Sequence, residues 1–131
     1  MTSSSFTFCD LGRISYEKAL IVQTNAFNNL ITRKVQGESG ENVLFFCEHE
    51  PVFTLGKHGK ETNLLVSEER LNQHGISFYH TNRGGDITYH GPGQLSAALT
   101  IKTMITERRE KNAGTNHYQD FVFLISFRAV I

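Results

Sequence analysis

A chain of 131 residues, 39% hydrophobic and 20% charged, fits one soluble globular domain that buries roughly two thirds of its unfolded surface. Thirteen basic and thirteen acidic residues balance to zero, which argues against a nucleic-acid partner. No apolar run approaches bilayer-spanning length, Met1-Thr2-Ser3-Ser4-Ser5-Phe6 is not a secretory signal, and two distant cysteines, Cys9 and Cys47, fit free thiols in a reducing cytoplasm.

Phe6 to Cys9 predicts a short first strand, broken by Gly12. From Ser15 the period becomes helical. Tyr16, Ala19, Leu20, Gln23, Ala26, Phe27, Leu30 and Ile31 form one mostly apolar stripe, with Ser15 as N-cap and Gly37 as the stop. Val43-Leu44-Phe45-Phe46-Cys47 is a continuous apolar run and predicts a strand covered on both faces. Val52 to Leu55 predicts an extended piece ended by Gly56, followed by the exposed basic loop Lys57-His58-Gly59-Lys60. Ser67 caps a short helix that Gly75 ends, and Ile76 to Tyr79 predicts a further strand.

The densest chemistry lies in Arg83-Gly84-Gly85-Asp86-Ile87-Thr88-Tyr89-His90-Gly91-Pro92-Gly93-Gln94-Leu95, with four of the eleven glycines and one of the two prolines. Gly84 and Gly85 permit positive φ and close approach of a backbone or a ligand. Asp86 to Tyr89 alternates as a strand, with Ile87 and Tyr89 on one face and Asp86, Thr88 and His90 on the other. Gly91-Pro92-Gly93 predicts a tight turn into a second strand. The expected unit is glycine loop, strand, turn, strand, with Arg83, Thr88 and His90 at its rim. The residues alone leave two readings open, a ligand loop and a glycine corner between strands.

Other chemistries fit less well. Glu48-His49-Glu50, with Cys47, His80 and His90, invites a metal reading, but no HExxH or CxxC pattern supports one. On a strand, Cys47 and His49 share a face while both glutamates point away. Cys47 sits in an apolar run, where a thiol packs and its pKa rises. Gly84-Gly85 is no Walker loop, because no Lys-Ser or Lys-Thr follows, and no dinucleotide fingerprint, because a strand and not a helix follows. No cofactor is expected.

The segment Arg83 to Leu95 closely resembles the signature of the lipoate–protein ligase B family, the octanoyl-[acyl-carrier-protein]:protein octanoyltransferases. Glu48-His49-Glu50-Pro51-Val52-Phe53-Thr54-Leu55-Gly56-Lys57 is similar to that family's upstream motif. The resemblance runs from about Tyr16 to Leu95, so that residues 16–95 are family-like and 96–131 divergent within one partial catalytic domain, 1–131. It implies an α+β fold of the biotin and lipoate protein ligase kind (class II aminoacyl-tRNA synthetase and biotin synthetase-like), a mixed sheet flanked by helices and incomplete at the C-terminus. It implies transfer of octanoyl from acyl carrier protein to a lysine of a lipoyl domain, in 2-oxoacid dehydrogenases or the glycine cleavage H protein. Arg83, Gly84, Gly85, Asp86, Ile87, Thr88, Tyr89 and His90 would line the acyl-substrate pocket, and Lys57-His58-Gly59-Lys60 would face the acidic carrier.

The family's chemistry uses a cysteine nucleophile and an activating lysine in the C-terminal half, and this sequence has no cysteine after Cys47. No catalytic residue is therefore assigned. The pattern predicts a member truncated or frame-shifted after Leu95, with a catalytically inactive acyl-binding remnant or a pseudogene product as alternatives. Thr106 to Asn112 is expected to be a solvated charged run. Phe121 to Phe127 is expected to be an exposed, aggregation-prone strand with no partner element after it.

Overall fold

The computed structural model describes residues 6–100 and the strand Phe123–Arg128. Strands β1 (Phe6–Ile14), β2 (Asn42–His49), β6 (Gln94–Thr100) and β7 (Phe123–Arg128) form one sheet in the order β1-β2-β6-β7. Strands β3 (Val52–Leu55), β4 (Ser77–His80) and β5 (Ile87–His90) form a second in the order β4-β3-β5. Helix α1 (Tyr16–Val35) joins β1 to its parallel neighbour β2, and α2 (Glu68–Gln73) joins β3 to its parallel neighbour β4. The remaining pairings are antiparallel. The expected α+β fold is present, with its mixed sheet divided in two.

Proline explains where the division falls. Both connections between the sheets contain one: Pro51 between β2 and β3, Pro92 between β5 and β6. Proline has no N–H for a ladder, so each strand stops and restarts in a new sheet. The second connection is a turn closed by the Gln94 N–H on the Gly91 carbonyl at 3.1 Å, with Gly93 at φ 83°. Glu48 on β2 accepts from the Gly93 N–H at 3.0 Å and so ties this turn to the first sheet.

Helix α1 follows its local signals. Ser15 Oγ accepts from the Lys18 N–H at 3.4 Å. The other end closes as a Schellman motif: the Glu38 N–H reaches the Arg33 carbonyl at 2.8 Å and the Gly37 N–H the Lys34 carbonyl at 3.2 Å. Ala19, Gln23, Phe27 and Leu30 are its buried residues, with Ile31 packed against Phe27 and Leu30. Helix α2 starts likewise on Ser67, whose Oγ accepts from the Arg70 N–H at 3.3 Å.

Two expectations change. Gly12 does not break β1. It sits at φ 61° in a bulge where the register against β2 shifts between Asp10 and Arg13, and its N–H is bonded to Asp10 Oδ1 at 2.8 Å. The strand continues because its partner β2 supplies the ladder on both sides of the bulge. Strand β2 is fully covered on one face and partly on the other, among the described residues. Phe45, Cys47 and His49 are buried on the side that meets α1, whereas Leu44, Phe46 and Glu48 are half-buried on the other, where Phe46 stacks on Phe8. Strand β7 pairs along the earlier β6 from Gln94↔Arg128 to Leu99↔Phe123. The run Thr106–Asn112 lies outside the described residues.

Candidate functional site

The two sheets meet at four rings. Tyr16, the first residue of α1, lies 5.5 Å from His49 and 5.2 Å from Tyr79 between ring centroids. His49 ends β2, His90 ends β5, and their rings meet edge-on at 5.7 Å. Both imidazoles are almost fully buried, at 1% and 2% exposure. Each stands two residues before a proline, in His49-Glu50-Pro51 and His90-Gly91-Pro92. The proline that ends each strand therefore fixes the last side chain of that strand at the sheet junction.

Burial sets their charge. It lowers the pKa of His90 to about 4, helped by neighbouring His49, and it lowers that of His49 as well. Both rings are thus neutral near pH 7, each with one donor and one acceptor nitrogen. Burial also raises the pKa of the Tyr16 phenol. Neutral polar groups in a dry junction suit hydrogen bonding to an uncharged carbonyl.

The glycine segment lies beside this junction. Arg83 is half-buried and spreads over its own loop and β3. Its Nη2 donates to the Thr54 carbonyl at 2.7 Å, to Thr54 Oγ1 at 2.9 Å and to the Asp86 carbonyl at 2.7 Å, and its Nη1 donates to the Gly84 carbonyl at 2.9 Å. The loop is drawn onto Gly56, where an added Cβ would stand 2.4 Å from the Gly85 carbonyl oxygen. Gly56 N–H and Lys57 N–H donate to the carbonyls of Asp86 and Arg83, at 3.1 and 3.0 Å. Of the glycine pair, Gly85 takes the positive φ, at 91°.

The remaining residues of the segment divide between two faces. Thr88 pairs with the buried Thr54, and His90 with Val52. The polar face of β5 is thus the inner one, and His90 is not at the rim, because Val52 and His49 cover it. Ile87 and Tyr89 take the opposite face, where Tyr89 is 42% exposed and lies 5.1 Å from Phe53. The Asp86 carboxylate turns toward the basic loop, accepting from the Asn63 side-chain amide and, at 3.3 Å, from the Lys60 N–H. Lys57, His58 and Lys60 are exposed.

Cys47 and His49 share the inner face of β2, with Sγ 3.6 Å from Nε2. Burial pushes the Cys47 thiol up to about 11, which removes the thiolate that nucleophilic attack requires. Glu48 and Glu50 point elsewhere, Glu48 to the Gly93 N–H and Glu50 to Arg13 at 2.8 Å. Among the described residues no group of three His, Cys, Asp or Glu is placed to hold a metal ion.

Tyr16 and Tyr79 are not among the residues expected at the site, and His49 and Thr54 stand there only within the upstream motif, His49 also in the metal reading. The repeated His-x-Pro triplet is the signal that points to His49 and His90 together. For Tyr16 and Tyr79 no local signal exists, since their meeting depends on how α1 crosses the sheets.

A family model described as the lipoyl protein ligase A/B catalytic domain matches residues 21–125. An octanoyltransferase of Parabacteroides distasonis is 60% identical over 92 residues, which cover 70% of this chain and 42% of that protein. An octanoyltransferase of Porphyromonas gingivalis is 50% identical over 96 residues, covering 73% of this chain and 20% of that one. The chain thus spans less than half the length of these relatives. The crystal structure of P. falciparum LipL1 in complex with lipoate matches with a TM-score of 0.54 at 14% identity, over 72% of this chain and 30% of that one. At that identity the likeness is one of fold. Among the described residues no helix is long and apolar enough to cross a membrane. The extent of the family match, together with the α+β architecture, shows that this chain belongs to the lipoyl protein ligase A/B catalytic domain family.

Proposed function

We propose that this chain carries the acyl-substrate side of an octanoyltransferase. The reaction moves octanoyl from the thioester of acyl carrier protein to a lysine amine of a lipoyl domain, such as those of 2-oxoacid dehydrogenases or the glycine cleavage H protein, in the cytoplasm. The observation that carries this reading is the 60% identity to an octanoyltransferase over a stretch that folds into the braced glycine loop and the His49–His90 junction. Arg83, Gly84, Gly85, Asp86, Ile87, Thr88, Tyr89 and His90 are read as the acyl-substrate segment, now with Tyr16 and His49 beside it. Ile87 and the exposed Tyr89 offer apolar wall for the acyl chain, and Thr88 and the buried His90 back that strand from its inner face.

The chain is read as part of one catalytic domain. Cys47 is not read as the nucleophile, because it is buried with a raised pKa. The exposed loop Lys57-His58-Gly59-Lys60, tied to the glycine loop through Asp86, is read as the surface that meets the acidic carrier.

Titration calorimetry with octanoyl-acyl carrier protein tests the reading. Binding is expected, weakened at least tenfold by the double charge reversal K57E/K60E. A mass assay on a lipoyl domain then separates transfer from binding alone. An octanoyl-loaded carrier that binds no better than the unloaded carrier refutes the acyl site. An unchanged affinity after charge reversal refutes the role of the loop.

A further inference from the structure

Thr54 lies on β3, the central strand of the three-stranded sheet, and is 1% exposed. Its Oγ1 accepts from Arg83 Nε at 3.1 Å and Nη2 at 2.9 Å, and its carbonyl oxygen accepts from the same Nη2 at 2.7 Å. The other acceptors of this guanidinium are the carbonyls of Gly84 and Asp86, which flank Gly85. One planar cation therefore joins the middle of a buried strand to both sides of the glycine turn. Every one of these acceptors is an uncharged oxygen, so the geometry of the fork holds the arrangement rather than an ion pair.

Gly56 N–H and Lys57 N–H hold two carbonyls of the loop, and the absent Cβ of Gly56 lets Gly85 come close. Without the guanidinium between Thr54 and residues 84–86, the carbonyls of Gly84 and Asp86 lose a common donor. Thr54 itself faces the strand, 29 residues away from Arg83 in sequence, and its hydroxyl is turned to the brace.

We propose that Thr54 is a positioning residue: through Arg83 it holds Gly84, Gly85 and Asp86 in the curvature that receives the acyl thioester. The proposal rests on the acyl-site reading above. In this role Arg83 serves the ligand through the loop it shapes, since its Nε and Nη2 donors are committed within the protein.

The test compares wild type, T54V and T54S in the full chain. Valine keeps the branched shape and removes the hydroxyl, and serine keeps the hydroxyl. T54V is expected to speed amide hydrogen exchange at Gly56 and Lys57, whose N–H groups donate to the loop carbonyls of Asp86 and Arg83, at least tenfold, with exchange at Phe27 to Ile31 in α1 unchanged. It is expected to weaken octanoyl-pantetheine binding about tenfold, and T54S is expected to restore both. Wild-type exchange at Gly56 and Lys57 in T54V overturns the proposal, as does T54S behaving like T54V, which would make the methyl and not the hydroxyl decisive. If wild type binds no octanoyl-pantetheine, the acyl-site reading fails, and the exchange measurement alone decides the brace. If T54V does not fold, R83K replaces it. Lysine cannot reach Thr54 and both loop carbonyls at once, and unchanged exchange at Gly56 and Lys57 in that variant overturns the proposal.

Discussion

His49 and His90 meet edge to face with ring centroids 5.7 Å apart, each at the last position of a strand and each two residues before the proline that precedes the other sheet. The pair closes the junction between the two sheets and remains neutral because water is excluded from it.

That neutrality makes stability depend on pH. The folded pKa of His90 is depressed from 6.5 to about 4, so the unfolded chain binds the extra proton between those values. Stability is fully present above pH 6.5 and declines as the pH falls toward 4. His90 alone contributes up to about 3 kcal/mol to the loss, at about 1.4 kcal/mol per pKa unit. His49 adds in the same direction. Urea unfolding midpoints should fall steadily from pH 6.5 to 4.5 in wild type and less steeply in H90Q. Midpoints that stay flat in wild type would contradict the neutral pair.

Gly56 and Gly84 should respond oppositely to alanine. At Gly56 the new methyl group meets Gly85 oxygen at 2.4 Å and Arg83 oxygen at 3.0 Å, both backbone atoms that cannot swing aside. G56A is expected to cost about 1–3 kcal/mol, the usual range for overpacking. At Gly84 nothing lies within 4 Å and φ is not positive, so G84A should change stability by less than about 0.5 kcal/mol, whatever it does to a ligand. Equal chemical-denaturation midpoints for the two variants would show that the loop is not drawn onto Gly56.

The Cys47 thiol should be almost inert in the native protein. With its pKa pushed up to about 11, only about one thiol in a thousand is ionised at pH 8, and 3% exposure blocks access. Iodoacetamide labelling followed by peptide mass analysis should modify half-buried Cys9 first and reach Cys47 only after denaturation. Rapid native labelling of Cys47 would reopen its candidacy as a nucleophile.

Removing the Ser15 hydroxyl tests the start of the helix that delivers Tyr16. S15A loses the bond to the Lys18 N–H and should cost about 1 kcal/mol, a drop of a few degrees in Tm by circular dichroism. Tyr16 is the next residue, so the near-ultraviolet signal of its ring packing should weaken along with the helix start. An unchanged melt would mean that tertiary contacts alone fix this helix end.

Much of the local structure was legible. Ser15, Gly37, Ser67 and Gly75 announced both helices because a cap or a stop acts through atoms only a few residues away. The Gly91-Pro92-Gly93 turn was legible for the same reason. The bulge at Gly12 was not, since a glycine in a strand reads as a break until a partner strand pairs on both sides of it. The partners of Arg83 were equally hidden. The motif marks the residue, but Thr54 lies 29 positions earlier and is brought near only by the pairing of β3 with β5.

The sequence by itself determined where helices begin and end, which family motif the chain carries and which segment holds its glycine loop, because these follow from local dihedral preferences and from residue identity. Only the tertiary structure decided that two sheets share the work, that Tyr16, His49, Tyr79 and His90 meet between them, and that Arg83 braces its loop against Thr54. Those are relations between strands far apart in the chain. Nothing in a local window encodes them, and they come into being when two prolines interrupt the ladders and burial draws the strand ends together.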